Sequence, residues 1–208
     1  MDTHRRNYAR RVTSISTNPA CSMDAGVADS CLHGDDKDSR ERARRLADGV
    51  AGAEIPDLCL TAFTGMHVEL RRECELAKVI YVFPGADCSP DGGRRSPHAD
   101  VLQHQAFDRH GDDLQAYCLS VVGVSGESRE SLHARVFEHR VCHELWSDPG
   151  LLLARALGLP TFACEGASGF RRSMLVVRGG QVEKVFFPVE SPERSATQVL
   201  WWLRATGR

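Results

Sequence analysis

Apolar and polar positions divide the chain into two unequal parts. Residues 1–52 are mostly polar and lack a sustained apolar period, although good helix formers over residues 38–48, followed by Gly49, predict one short helix. From residue 53 onward, apolar runs of strand length alternate with longer helix-forming segments. We therefore expect a flexible extension over residues 1–52 and one domain over residues 53–208.

Two apolar runs have the form of strands that are buried on both faces. Residues 78–83 (KVIYVF) end at Pro84, and residues 116–124 (AYCLSVVGV) form the second run. Each run is followed by a loop and a helix-forming segment, which predicts helices over residues 99–114 and 129–143. Two such strand-helix units are typical of an α/β domain.

Turn residues place further elements around these units. They predict hairpins over residues 55–70 and 173–187, a short helix over 151–157, and a final amphipathic helix over 193–205. An antiparallel pair that follows two strand-helix units implies a mixed central β-sheet flanked by helices on both faces.

Charge and composition argue against several classes of partner. The formal net charge is -2, with both signs mixed along the chain, so neither nucleic acid nor an anionic membrane surface is indicated. No apolar run approaches the roughly 18 residues that a membrane-spanning helix needs, and the N-terminus has no signal-peptide core. We expect a cytoplasmic protein.

The 8 cysteines contain no C-x-x-C pair, so a disulfide framework or a structural zinc site is not expected. Cys59 and Cys118 lie within apolar runs and are predicted to be core residues. His139, Cys142 and His143 have a spacing that could direct three metal ligands to one side of a helix, but a solvated helix face explains the spacing more simply. We therefore predict no metal site and no cofactor.

Five segments, taken in chain order, resemble the peroxiredoxins. They are residues 53–70, 78–84, 121–125 (VVGVS), 145–149 (LWSDP) and 154–160 (ARALGLP). The resemblance implies a thioredoxin-like fold, and a homodimer is possible because peroxiredoxins often dimerise. A peroxiredoxin works through a cysteine thiolate at the first turn of a helix, where backbone N–H groups, the helix dipole and an arginine stabilise the negative charge.

The peroxidatic motif of that family, P-x-x-x-T-x-x-C, is not preserved here. Counting from Pro84 places Cys88 at the threonine position and Asp91 at the cysteine position. Counting backward from residues 106–107, which resemble the segment after the first helical turns in the family, places Asp100 at the cysteine position instead. Neither count finds a cysteine there, and the two counts differ because residues 92–97 resemble an insertion in the active-site loop.

The arginine of the family site does have a counterpart. Residues 171–175 (RRSML) resemble the R-S-T-F-L strand, so Arg172 corresponds to the residue that holds the thiolate and the peroxide. Our first hypothesis is a divergent thiol oxidoreductase in which Cys88 is the reactive thiol, Arg172 is its electrostatic partner and Pro84 shields the pocket. Its partners would be a peroxide and a thiol reductant.

A second hypothesis belongs to another class. A pseudo-peroxiredoxin without peroxidase activity would bind or transform a small metabolite, for example in a specialised biosynthetic pathway. Asp100 would then replace the thiol, since a carboxylate and a nearby imidazole can move protons. His98 and Asp91 would line the site with Arg172. A third hypothesis is an interaction protein that dimerises through a sheet edge or its helices.

Overall fold

A computed structural model describes residues 37–85, 98–164 and 167–207. The described strands are β1 (Cys59–Ala62), β2 (His67–Glu69), β3 (Lys78–Phe83), β4 (Ser120–Ser125), β5 (Glu144–Ser147), β6 (Thr161–Cys164), β7 (Ala167–Phe170), β8 (Ser173–Arg178) and β9 (Gln181–Phe186). Seven of them form one sheet in the order β2-β1-β5-β4-β3-β8-β9, and β6 pairs with β7 in a separate hairpin.

Helices cover the sheet on both faces. They are α1 (Lys37–Asp48), α2 (Leu70–Glu73), α3 (His98–Arg109), α4 (Gly111–Gln115), α5 (Arg129–His139), α6 (Leu152–Leu157) and α7 (Ser195–Ala205), with a 3-10 turn at Pro192–Arg194. Buried side chains of α6 pack on one face, and those of α3, α5 and α7 pack on the other. This architecture confirms the predicted α/β, thioredoxin-like fold with its mixed central sheet.

The pairing of β3 sets the position of the candidate site. Strands β3, β4 and β5 run parallel, whereas β8 lies antiparallel to β3 with Val82 opposite Ser173. The end of β3 therefore lies beside the start of β8. Because the side chains of a strand alternate between faces, Ile80 and Val82 enter one core cluster while Tyr81 and Phe83 enter the other.

Several local predictions are confirmed. The helix predicted over residues 38–48 is observed as α1, and the hairpin predicted around residues 178–181 is formed by β8 and β9. Ala47 and Val50 are buried, so the end of α1 packs on the domain. Residues 1–36 lie outside the described residues, and the boundary between residues 52 and 53 stays a prediction.

Two predicted helices differ from the observed ones. The helix predicted over 129–143 ends at His139, because Arg140 takes a left-handed conformation at φ 54°, and β5 follows it. The segment predicted as helix over 99–114 is divided between α3 and α4. Strand β5 was missed because a four-residue strand carries too short an alternation to be read from sequence. None of the described helices is long and apolar enough to span a membrane.

The prediction that Cys59 and Cys118 belong to the core was wrong. Both are exposed. Cys59 begins β1, in which Leu60 and Ala62 take the inward positions. Cys118 lies in a turn at φ 58°, outside the strand to which the apolar run was assigned. Cys74, just after α2, is the buried thiol among these three.

Candidate functional site

Arg172 and Asp100 meet at the junction of the central sheet and α3. Arg172 precedes β8, and Asp100 lies in the first turn of α3. The Nη2 atom of Arg172 donates a hydrogen bond to Oδ1 of Asp100 over 2.5 Å, and Nη1 donates to Oε1 of Gln103. Both members of the ion pair are buried. The fold therefore brings together two of the residues that the sequence indicated.

A second buried ion pair continues the network. Arg135 of α5 donates two hydrogen bonds to the carboxylate of Glu127, over 3.1 Å from Nε and 2.7 Å from Nη2. Its Nη1 atom lies 4.0 Å from Oδ2 of Asp100. The four charged groups thus connect Glu127 to Arg172 beneath the surface. Sequence reasoning missed Arg135 on α5 and Glu127 in the turn before it, because charged side chains are usually solvated.

The chain leaves β3 directly beside this network. Pro84 and Gly85 are buried, and Gly85 has φ +83°, a conformation that side-chain-bearing residues rarely adopt. A Cβ atom at Gly85 would lie 2.6 Å from Cγ of Glu127. His98, by contrast, is exposed. The predicted site residues Cys88 and Asp91 lie outside the described residues.

A chain of hydrogen bonds crosses the same face of the sheet. The hydroxyl of Tyr81 lies 2.6 Å from Nδ1 of His104 and 2.6 Å from Nε2 of His143. Nδ1 of His143 lies 2.7 Å from Oδ1 of Asp108, which also accepts a hydrogen bond from the backbone N–H of Cys142. These contacts connect helix α3, strand β3 and the segment before β5.

A glycine makes room for the central member of this chain. Gly123 of β4 lies opposite Tyr81 of β3, and a Cβ atom there would be 2.6 Å from both Cζ and Oη of Tyr81. On its other side the Tyr81 ring stacks on Phe107 of α3, with ring centroids 4.7 Å apart. The ring therefore has a fixed position, and its hydroxyl is directed between the two histidines.

Burial shifts the pKa values of this chain strongly. Loss of solvation raises the pKa of Tyr81 well above its ordinary value, and the charges of Asp108 and Asp100 raise it further. Loss of solvation lowers the pKa of His104 well below its ordinary value, and His143, Arg135 and Arg172 add to the effect. At neutral pH, Tyr81 therefore keeps its proton and His104 is uncharged.

Two of the described thiols, Cys74 and Cys142, are poor nucleophiles. Burial raises the pKa of Cys74 to about 12. Burial and the charge of Asp108 also raise the pKa of Cys142. Because the thiolate is the reactive form, neither side chain is activated at neutral pH.

The alternative of a metal site at His139, Cys142 and His143 fails on geometry. Only His139 belongs to α5, whereas Cys142 and His143 follow its end, and His143 is engaged by Tyr81 and Asp108. Within residues 37–85, 98–164 and 167–207, no group of three His, Cys, Asp or Glu side chains is arranged to hold a metal ion. The prediction of helical spacing was therefore wrong at these positions.

Sequence reasoning missed the hydrogen-bonded chain altogether. Its members are Tyr81, His104, Asp108 and His143. One signal was present, since Tyr81 is a hydroxyl-bearing residue within an apolar run of the kind that forms a buried strand, and a buried tyrosine hydroxyl needs a partner. The partners could not be identified, because they come from segments far apart in the sequence.

Comparisons with known proteins support the fold. No protein-family profile and no curated protein matches the sequence. Among solved structures, peroxidoxin BcpB of Mycobacterium tuberculosis shares 20% identity at a TM-score of 0.63, over 74% of this chain and 96% of that protein. The bacterioferritin comigratory protein of Xanthomonas campestris shares 23% identity at 0.62, over 76% and 99%.

PrxQ of Xylella fastidiosa shares 18% identity at a TM-score of 0.64, over 76% of this chain and 97% of that protein. These similarities span nearly the whole length of each solved protein. The chain therefore has the thioredoxin-like fold of the peroxiredoxins.

Proposed function

We propose that this protein is a pseudo-peroxiredoxin that binds or transforms a small molecule and does not reduce peroxide through a thiol. The observation that carries the proposal is the engagement of Arg172. Its guanidinium is bound by the carboxylate of Asp100 and by the side-chain oxygen of Gln103. In the peroxiredoxins that the sequence resembles, the corresponding arginine holds a thiolate and a peroxide.

Electrostatics favour this proposal over thiol chemistry at Arg172. A positive charge lowers a thiol pKa only to the extent that no nearby negative charge offsets it. The carboxylate of Asp100 lies 2.5 Å from the guanidinium, in an interior where charges are weakly screened. Arg135 is offset in the same way by Glu127. A thiolate placed here would compete with carboxylates that already hold both guanidinium groups.

The test restores a thiol at this position. Peroxide consumption and site-resolved thiol labelling at about pH 6 are measured for wild type and for Asp100→Cys. We expect no thiol-dependent peroxide consumption by wild type, and fast labelling at residue 100 in the variant, because the new sulfur replaces the carboxylate beside Arg172. Thiol-dependent peroxide consumption by wild type would contradict the proposal.

Asp148→Cys is the matched control for this test. Asp148 is also a buried aspartate at a helix start, but its carboxylate accepts hydrogen bonds from the backbone N–H groups of Leu152 and Leu153. A cysteine there is likewise buried and near the N-terminus of a helix, but it lacks a guanidinium bond of this kind. Slow labelling at residue 148 beside fast labelling at residue 100 would attribute the difference to Arg172.

One observation favours a second function, a thiol oxidoreductase that uses Cys88. Pro84 and Gly85 are buried beside Glu127, and Cys88 follows Gly85 by three positions in the sequence. Peroxide and a thiol reductant would then be the partners. Loss of peroxide consumption in Cys88→Ser, with full activity in the exposed-cysteine variant Cys59→Ser, would support this function and overturn the first.

A further inference from the structure

In the hydrogen-bonded chain around Tyr81, the group at one end determines which atoms donate a hydrogen and which accept one. The carboxylate of Asp108 can only accept, so Nδ1 of His143 carries a hydrogen. When His143 is neutral, its Nε2 atom is an acceptor, and the Tyr81 hydroxyl donates to it. The oxygen of Tyr81 then accepts from Nδ1–H of His104. Nε2 of His104 is therefore left without a hydrogen, as a basic lone pair.

That lone pair is buried and unused. His104 is 1% exposed, and its Nε2 atom has no hydrogen-bond partner in the described part of the chain. Leaving a buried acceptor unpaired costs about 1–3 kcal/mol, and native structures rarely retain such an atom without a role. The ring is fixed edge-on against Phe83, whose own ring lies under the guanidinium of Arg135. The free nitrogen thus lies in the same region as the buried ion pairs.

His104 cannot hold a positive charge in this environment by itself. The charged and titratable groups that act on this part of the fold are His143, His139, Arg135, Arg172, Asp100 and Asp108. Burial and the two arginines oppose protonation of its ring. His143 has a different environment, because its Nδ1 atom lies 2.7 Å from the carboxylate oxygen Oδ1 of Asp108. The hydrogen-bonded chain therefore connects His104, where burial and the arginines oppose an added proton, to His143, which contacts the carboxylate of Asp108.

We propose that Asp108, His143, Tyr81 and His104 form a proton relay that begins at Nε2 of His104 and serves a small protic molecule bound in the interior. A hydrogen of the ligand bonds to Nε2 of His104. The Nδ1 hydrogen passes to the oxygen of Tyr81, and the original Tyr81 hydrogen passes to Nε2 of His143. Three bonds to hydrogen form and three break, no electron is transferred, and the reverse sequence returns the proton.

The ligand that this arrangement suits is a neutral molecule with an O–H group, such as an alcohol, an enol or a phenol. A bare imidazole nitrogen recognises a hydrogen-bond donor, and a buried, uncharged acceptor flanked by aromatic rings favours a neutral ligand over a cation. His104 is the catalytic residue in this scheme, and Tyr81, His143 and Asp108 are positioning residues. The ligand part of this inference rests on the proposed function, because it requires a small molecule to enter the site.

The relay itself can be tested without any ligand. NMR of isotope-labelled histidine ring nitrogens, in the full chain between about pH 5 and pH 9, reports which nitrogen carries hydrogen. We expect His104 to change from the Nδ1–H to the Nε2–H form at the same midpoint at which His143 becomes charged. In Tyr81→Phe the coupling is lost, while Tyr117→Phe, which removes a hydroxyl outside the relay, keeps it.

A second variant covers the case in which Tyr81→Phe does not fold. Asp108→Asn keeps an oxygen that can accept from His143 but removes the negative charge. We expect the two midpoints to move together to lower pH. A His104 form that does not change with pH, a doubly protonated His104, or midpoints that separate in Asp108→Asn would each overturn the relay.

The ligand is tested with methanol as the probe and acetonitrile as a control of similar size without an O–H group. Methanol should shift the Nε2 signal of His104 and acetonitrile should not. Equal shifts of the Nε2 signal with methanol and with acetonitrile would overturn the assignment of a protic ligand. The relay itself would still be supported by the pH-coupled exchange between His104 and His143. Because neither measurement involves peroxide or thiols, a failure here is distinguishable from a failure of the proposed function.

Discussion

The two faces of the central sheet are built from the same strands and differ in what they bury. On one face, Ile80 and Val82 of β3 join a cluster of apolar side chains that includes Trp146 and Leu175. On the other face, Tyr81 lies between apolar neighbours, and its hydroxyl contacts polar groups. The first face stabilises the fold by removing apolar surface from water, whereas the second also holds groups that prefer water.

The polar face carries groups whose burial stability alone does not favour. Buried ion pairs contribute little net stability, because the loss of hydration offsets their attraction. The face that carries Asp100, Arg172, Arg135 and Glu127 therefore gains little from charges that apolar residues could replace. On the same face, Nε2 of His104 is buried without a hydrogen-bond partner among the described residues, which adds a further cost. Stability alone does not explain this arrangement, so we attribute it to function.

The largest expected effect comes from removing one charge of the polar face. Arg172→Met leaves Asp100 buried without its main partner, and we expect the free energy of unfolding to fall by about 3–5 kcal/mol. Urea denaturation measures this loss. In the double variant Arg172→Met with Asp100→Leu, most of the loss should be recovered. A double variant as unstable as the single one would mean that the pair itself stabilises the fold.

Truncating a side chain on the apolar face should lower the free energy of unfolding by a comparable amount, but for a different physical reason. Ile80→Ala removes a fully buried side chain, and we expect a loss of about 2–5 kcal/mol from lost burial and the cavity left behind. The loss should be the same at low and high salt, because no charge is involved. Ile80→Val is the matched control, with an expected loss of about 0.5–1.5 kcal/mol. Salt-dependent losses would show that the two faces are coupled.

Much of the apolar face could be predicted from sequence. A continuous apolar run that stops at Pro84 fixes β3, and the glycine pair within residues 178–181 fixes the β8–β9 hairpin. These signals are local, because each depends on neighbouring residues and on backbone geometry that a few positions determine. The fold class follows from their order, and the structure confirms it.

The polar face could be predicted only where a motif resemblance supplied the partner. Arg172 and Asp100 were both indicated, but their direct contact joins residues 72 positions apart. Tyr81 and His143 are 62 positions apart, and each looks ordinary in its own segment. Hydrogen bonds of this kind depend on which segments the fold brings together, and a single sequence has no local pattern for that.

A smaller effect should follow from filling the space beside Tyr81. In Gly123→Ala the new methyl group would lie 2.6 Å from the Tyr81 ring and hydroxyl, so the ring must move. We expect a loss of about 1–3 kcal/mol, and the coupled exchange between His104 and His143 should weaken. Gly111→Ala in α4 is the control, because the added methyl group would face open space among the described residues. Equal losses in both variants would exclude a specific role for the space at Gly123.

The smallest effect concerns the pH dependence of stability. Because burial lowers the folded pKa of His104 below its unfolded value, its contribution is fully present above about pH 6.5 and is lost as the pH falls. In His104→Asn, whose side-chain nitrogen can still donate to Tyr81, we expect the fall in unfolding free energy below that pH to be shallower by up to about 1.4 kcal/mol per pH unit. Urea denaturation at several pH values measures the slope. His67→Asn removes an exposed histidine and should leave the slope unchanged. If His104→Asn keeps the wild-type slope, His104 is charged in the folded protein. The polar face would then differ from the apolar face in its ion pairs but would hold no neutral base.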